Sequence, residues 1–302
     1  MSSEKSSVVA IITRTKNRNA LLTRAVNSVL GQTYLNWEHV IVNDGGDRES
    51  VESLLAPYAK RYAGRLKLIH HDVSTGMEAA SNTGVNHSES EFIAIHDDDD
   101  SWDKDFLQIC IEQLLTDPDT DVKGVVTGTI QVFESIRGAN VVTVRRQEYN
   151  PELTAISLPS VLEVNQFLPI AFLFYRSAYE EIGPYDETLP VIGDWEFNIR
   201  FLSKFDIRVI RDSLAFYHVR LGAEGDWANS VSRESLHAHY RAKIVNRYVR
   251  KDLERGAHVM GAYIAMGDFL FRTNRNLSRF GRILDKLKQL PFVSFLRKKT
   301  GI

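Results

Sequence analysis

The stretch Ile93-Ala94-Ile95-His96-Asp97-Asp98-Asp99-Asp100-Ser101-Trp102 ends an apolar, strand-like run with four consecutive carboxylates. Adjacent like charges repel, and beside a buried strand they also lose hydration. Such a run suits a place where a hard cation and its phosphate ligand share the field. A solvated acidic loop is the plain alternative. The surrounding sequence favours the first reading. Over roughly the first 130 residues, strand-like and helix-like runs alternate, the pattern of a mostly parallel sheet flanked by helices.

Val8 to Ile12 is the first apolar run of that alternation. Ala20 to Leu30 carries Leu21, Leu22, Ala25, Val26, Val29 and Leu30 at helical spacing, with Gly31 as the stop signal. Val40-Ile41-Val42 forms a second strand and runs into Asn43-Asp44-Gly45-Gly46-Asp47, a turn whose glycines let the backbone approach a ligand. Leu66 to Ile69 reads as a third strand, Met77 to Val85 as a short helix, and Glu91 to Ile95 as the strand that delivers the carboxylates. Asp44 and the acidic run therefore fall at the carboxyl ends of strands, the edge where open α/β sheets bind ligands.

Seven ordered motifs carry a resemblance to a known family. They are Ile11-Ile12-Thr13-Arg14-Thr15-Lys16-Asn17-Arg18; Ser28-Val29-Leu30-Gly31-Gln32-Thr33-Tyr34; Val42-Asn43-Asp44-Gly45-Gly46; Gly76 with Asn82 and Gly84; Asp97-Asp98-Asp99-Asp100-Ser101-Trp102; Ile182-Gly183-Pro184-Tyr185-Asp186-Glu187; and Gly193-Asp194-Trp195-Glu196-Phe197-Asn198-Ile199-Arg200. Together, over about residues 7 to 230, they resemble the nucleotide-sugar-dependent glycosyltransferases of family 2. The resemblance implies the GT-A fold, a Rossmann-like α/β architecture with a mixed, mainly parallel sheet flanked by helices. It also implies domain bounds: 1–231 for the transferase domain, with a nucleotide-binding half at 7–102 and an acceptor half at 103–231, then a helical, basic region at 232–302. Three positions depart from the pattern. Asn43 stands where an Asp is usual, Ser81 where an Arg often precedes the Asn, and Gly193 replaces an acidic residue, leaving Asp194 as the one carboxylate at the place of the family's general base.

The chemistry such enzymes perform explains these residue types. A sugar nucleotide leaves as a diphosphate with extra negative charge, which a carboxylate-held divalent cation can stabilise as a Lewis acid. By resemblance, Asp99 ligates the metal directly and Asp97 sits nearer the ribose. Mn²⁺ and Mg²⁺ both favour oxygen ligands, so either is expected. Asp98 is also placed in the donor site, although neighbouring extended side chains point to opposite sides and would turn it away to support the turn. Asp44 is the candidate to accept a hydrogen bond from the nucleotide base, with Thr13 contacting the same base and Arg18 or Arg14 pairing with phosphate oxygens. Asp194 is the candidate catalytic residue, taking the proton of the acceptor hydroxyl opposite the leaving group and so inverting the anomeric centre. It also suits the N-cap of the following helix. His218, after the strand-like run Ile207 to Phe216, is either a third metal ligand or phosphate contact, or a hydrogen-bonded structural residue. Arg220 and the loop Gly222 to Trp227 would serve as a lid.

Composition restricts the alternatives. A net charge of −2 carries no nucleic-acid footprint. The single Cys110 permits no intrachain disulfide, and the polar Met1 to Ser7 and the lack of a long apolar stretch point to a cytoplasmic protein. Residues 128–146 read as a hairpin and Gln166 to Tyr175 as an apolar strand entering the acceptor half. From Ser232 the chain turns helical. Arg272, Arg275, Arg279, Arg282, Lys286, Lys288, Arg297, Lys298 and Lys299 flank an apolar stripe of Leu277, Phe280, Ile283, Leu284, Leu287 and Leu290. Such a helix either lies on the inner face of an anionic membrane, near a lipid-linked acceptor, or packs on its own domain or a partner subunit in a homo-oligomer.

The expected reaction is hexosyl or deoxyhexosyl transfer from a UDP- or dTDP-sugar to a saccharide or lipid-linked saccharide, in O-antigen or capsule synthesis. A sugar nucleotidyltransferase would want a glycine-rich loop after the first strand, and Thr13 to Arg18 has no glycine. A calcium-binding EF-hand starting at Asp97 would want Gly and Glu where Trp102 and Gln108 stand. A non-catalytic carbohydrate- or metal-binding module would leave Asp194 without a role.

Overall fold

The first apolar run extends to β1 (Val9–Thr15), and parallel partners follow on both sides, β2 (Trp37–Asp44) on one and β4 (Phe92–Ile95) on the other. β3 (Leu66–His71) joins β2 in parallel, so a four-stranded parallel half is ordered β3-β2-β1-β4. These strands are near-continuous apolar runs because helices cover both faces. A computed structural model describes residues 8–137, 140–222, 234–256 and 259–288.

The helices between these strands are α1 (Asn19–Leu30), α2 (Arg48–Leu55), α3 (Ala59–Tyr62) and α4 (Met77–Asn86). α1 buries Leu21, Leu22, Ala25, Val26 and Val29, the stripe expected from its spacing. α4 lies close on β1 because Gly84 has no side chain: a Cβ there would meet Ile12 Cγ2 at 2.4 Å.

After β4 the sheet turns antiparallel. The two-residue β5 (Ser101–Trp102) is followed by α5 (Phe106–Thr116), the long hairpin of β6 (Val122–Arg137) and β7 (Asn140–Tyr149), and α6 (Leu158–Glu163). β8 (Phe172–Tyr175) bridges β4 and β6, both antiparallel to it. The run expected as a strand from Gln166 starts only at Phe172, because Pro169 opens a 3-10 turn over Pro169–Ala171. α7 (Arg176–Ile182) and α8 (Gly193–Leu202) lead to β9 (Asp206–Arg220), which runs parallel to β6 and antiparallel to β5. The result is a mixed nine-stranded sheet flanked by helices.

Two compact units divide the chain. The first holds the sheet; the second comprises Pro159–Val164 and Lys243–Ile302. The second therefore begins later than residue 232 and takes in most of α6. α9 (Glu234–Arg255) runs across the boundary at 242, and α10 (Val259–Lys288) lies wholly in the second unit. There Gly267 meets the backbone of Leu162, and Ile244 and Ile264 are buried. No described helix is long and apolar enough to cross a membrane. The expected lid after Gly222 and the basic stripe from Phe280 onward lie outside the residues whose side chains are described.

Candidate active site

The loop after β4 is held from below by aromatic packing. Trp102 stacks on Phe106 with centroids 4.4 Å apart, meets His96 edge-on, and donates its indole N–H to Ile170 O at 2.6 Å. Gln32, in the turn after α1, clamps the segment beyond, donating to Asp103 O at 2.8 Å and accepting from Leu107 N–H at 3.1 Å. The four carboxylates are thereby fixed at the carboxyl edge of the sheet.

Each then meets a different partner. Arg14 pairs with Asp97, the most accessible of the three in charge pairs, whose side chain is 26% exposed. Arg18 pairs with Asp98, which is 0% exposed, and reaches Asp99 at 3.4 Å. Arg220, from the end of β9, donates to Asp99 at 2.5 Å. Asp100 accepts the backbone N–H of His218 at 2.9 Å. Burial pushes the Asp98 carboxyl up despite Arg18. At Asp99 burial acts in the same direction, but Arg18 and Arg220 outweigh it and hold the carboxyl low. Three guanidiniums from this chain thus supply much of the compensation that the acidic run demands.

Several expected roles change accordingly. Asp98 is a fully buried ion-pair partner, and the Arg18 guanidinium that pairs with it is engaged by carboxylates. Thr13 is fully buried; its hydroxyl lies 2.8 Å from His39 Nε2, whose other ring nitrogen meets the Tyr62 hydroxyl at 2.8 Å. It belongs to an internal polar chain and does not face a ligand. The ring nitrogens of His218 meet Glu134 at 2.7 Å and Ser101 at 2.9 Å, the hydrogen-bonded arrangement that the sequence offered beside metal ligation. Among the described residues no group of three or more His, Cys, Asp or Glu side chains stands together as a metal site.

Asp44 organises the neighbouring loop. Its oxygens accept from Ser74 Oγ at 2.7 Å, Thr75 N–H at 2.8 Å and Oγ1 at 3.0 Å, and Gly76 N–H at 3.0 Å, and pair with His71 Nδ1 at 2.8 Å. A nucleotide base would have to displace one of these donors to bond the carboxylate. Gly45 permits the approach, at φ 72° with Ser74 N 2.3 Å from where a Cβ would be. Burial opposes ionisation of Asp44, but the hydrogen bonds from Ser74, Thr75, His71 and Gly76 dominate and lower its carboxyl from 3.8 to about 2. A lowered pKa contributes stability that is present above the unfolded value and lost as pH falls through the folded one. That shift corresponds to about 2.5 kcal/mol at neutral pH. Asp44→Asn is therefore expected to be less stable than the wild type in urea melts at pH 7, with the gap closing between pH 4 and about 2. A gap independent of pH would contradict this.

Asp194 stands in the first turn of α8, after Ile192, a β-branched residue held at φ 55°. Asn165 donates to Asp194 Oδ2 at 2.7 Å and is itself held by Asn198 at 2.9 Å. Burial pushes the Asp194 carboxyl up against the Trp195 N–H and Arg14, and the charge of Asp97 adds to the rise. Arg14 and Asp97 are thus electrostatic neighbours of Asp194, although they come from different strand ends.

Glu78, in the first turn of α4, escapes a reading by motifs. It is 5% exposed, its Oε2 lies 3.9 Å from Arg14 Nη1, and it accepts the Gly193 N–H. Burial raises its carboxyl to about 7 against the pull of Arg14, with Asp194 and Asp97 raising it further. The glycine at 193 was the one available signal, a missing side chain beside a candidate base. Asn82, a motif residue without an assigned role, fastens the turn before α8 through Tyr185 N and O, Tyr179 and Glu187.

Comparison with known proteins places this geometry in context. The description "Glycosyl transferase family 2" matches residues 10–183. A UDP-Glc:alpha-D-GlcNAc-diphosphoundecaprenol beta-1,3-glucosyltransferase of Escherichia coli is 30% identical over 36% of this chain and 41% of its own length. Relatives in Escherichia coli and Bacillus subtilis carry names from colanic acid and teichuronic acid biosynthesis; they are 35% and 28% identical over 36% of this chain, which spans 39% and 42% of their lengths. In fold the chain is similar to S. aureus TarS in complex with UDP-GlcNAc, with TM-score 0.62, 18% identity, and coverage of 89% of this chain and 72% of that one. It is also similar to a mannosyltransferase from Pyrobaculum calidifontis in complex with GDP-Man and Mn²⁺, with TM-score 0.58, 16% identity, and coverage of 96% and 83%.

Proposed function

This chain belongs to glycosyl transferase family 2, and from that premise we propose an inverting, metal-dependent transfer of a hexosyl or deoxyhexosyl group from a nucleotide-diphosphate sugar to a hydroxyl of a saccharide or lipid-linked saccharide. The observation that carries the proposal is the gathering of Asp97 and Arg14, beside Asp99, at the carboxyl edge of the sheet, with Asp97 and Arg14 within electrostatic reach of Asp194.

Asp194 is the proposed general base. It takes the acceptor hydroxyl proton as the new carbon–oxygen bond forms, and Asn165 fixes the carboxylate's orientation through Oδ2. Arg14 and Arg18, poised among the carboxylates, can exchange part of their pairing for diphosphate oxygens as the donor enters. Asp97 and Asp99 fit a divalent cation, since Mg²⁺ and Mn²⁺ are commonly held by one or two carboxylates together with substrate phosphates and water. When bound, that ion supplies Lewis-acid stabilisation of the departing diphosphate. The metal in the Pyrobaculum neighbour supports this reading, the UDP-GlcNAc of the TarS complex supports UDP as donor nucleotide, and dTDP is proposed on the family resemblance alone.

Surface polysaccharide synthesis is the proposed setting, supported by the names of the relatives. A cytoplasmic place beside the membrane is part of the same proposal. α10 exposes Met266, Phe269 and Leu277 alongside Arg272 and Arg275, a composition suited to the interface of an anionic bilayer.

The deciding experiment is thermal stabilisation by UDP, dTDP, GDP and CMP, each with and without Mn²⁺, on the wild type and Asp99→Ala. At a hundredfold excess over Kd, a bound ligand raises Tm by about 5 °C or more. A metal-dependent rise with one diphosphate that is absent in the variant is expected. No rise with any of them would sink the proposal.

A further inference from the structure

Gly193 leaves a space next to Asp194, and the structure fills it from another element. A Cβ built on Gly193 would stand 2.1 Å from Glu78 Oε1 and 2.5 Å from its Cγ, so the glycine and the glutamate fit only together. The carboxylate accepts the Gly193 N–H. Its other oxygen, Oε2, is buried without a hydrogen-bond partner, and Arg14 Nη1 at 3.9 Å is too distant to donate to it. A buried carboxylate oxygen left unbonded is costly, and among the described residues no donor reaches it. A similar relocation occurs alongside: Ser81 stands where the family motif often carries an arginine, and Arg14 places its guanidinium 3.1 Å from the Ser81 hydroxyl.

We propose that Glu78 supplies from α4 the second carboxylate that α8 lacks at Gly193, and that its Oε2 accepts a hydrogen bond from a hydroxyl of the transferred sugar. This rests on the glycosyl-transfer reading. Glu78 is then a specificity-determining residue. Its neighbours Arg14 and Asp97 border the diphosphate side of the site and Asp194 the acceptor side, so the group between them faces the sugar. Sugar hydroxyls are donors of the kind a buried carboxylate oxygen lacks, and a site built around such a bond rejects ligands without the hydroxyl.

The test is titration calorimetry with Mn²⁺ on full-length wild type, Glu78→Gln and the exchange variant Glu78→Gly/Gly193→Glu. The ligands are UDP, GDP, UDP-glucose, UDP-N-acetylglucosamine and GDP-mannose. For the best-bound donor, the ratio of its Kd to that of the parent diphosphate is expected to rise about tenfold or more in Glu78→Gln, with the diphosphate's own Kd nearly unchanged. The exchange variant should recover most of that ratio. Equal weakening of diphosphate and sugar nucleotide, as from a packing defect, would overturn the assignment, and so would an unmoved ratio. Failure of the wild type to bind any of the five, or dTDP and dTDP-glucose titrated alongside them, would overturn the glycosyl-transfer reading together with this one.

Discussion

Asp194→Asn is expected to lower kcat by about 10²- to 10⁴-fold, the range of a positioned general base, while nucleotide binding persists. The substitution keeps the shape of the side chain and its acceptor oxygen, so Asn165 can still donate to it. It also removes a charge whose burial the fold resists, as the raised Asp194 carboxyl indicates. The folded protein should therefore be as stable as the wild type or slightly more so. Loss of turnover with intact stability and binding distinguishes the loss of a proton acceptor from the loss of a favourable charge in the first turn of α8, which would lower Tm. If Asp194→Asn turned over at nearly the wild-type rate, the base would lie elsewhere, and Glu78 would be the next carboxylate to examine.

The second large effect is on stability. Arg18→Met strips the fully buried Asp98 of its guanidinium partner and leaves Asp99 with Arg220 alone. Removing one member of a buried ion pair typically costs about 3–5 kcal/mol, because the remaining charge stays desolvated without compensation. Urea unfolding should show that loss. The double variant Arg18→Met/Asp98→Asn should recover about 1–3 kcal/mol of it, since the stranded charge is then gone. A double variant as unstable as the sum of the single variants would mean that Arg18 acts independently of Asp98. The ion pair would then be incidental to the fold.

The parallel half of the sheet was legible because its signals are local. Apolar runs of strand length, a helical stripe over α1 and glycines at turns are written within short windows. The turn at Asn43 to Gly46 and the acidic run could thus be placed at strand ends from spacing alone. The β6–β9 pairing was not legible: its strands are separated by β7, β8 and α6 to α8, and register between distant strands is settled by shared core packing rather than by local pattern. Gln32 and Asn82 could be recognised as motif members, yet their work as clamps on Asp103 and Tyr185 shows only in space.

The sequence by itself determined the fold class, the family and the positions of Asp44, Asp97 and Asp99 at or just beyond the carboxyl ends of strands and of Asp194 at the start of a helix, because these follow from periodicity and from ordered motifs along one chain. Only the tertiary structure decided what each carboxylate meets. Arg14, Arg18 and Arg220 reach their partners from 83, 80 and 121 residues away, Thr13 turns inward to His39, and Glu78 enters the space left at Gly193. Charge pairing and burial depend on three-dimensional distance and local dielectric, and neither quantity is encoded in the spacing of residues along the chain.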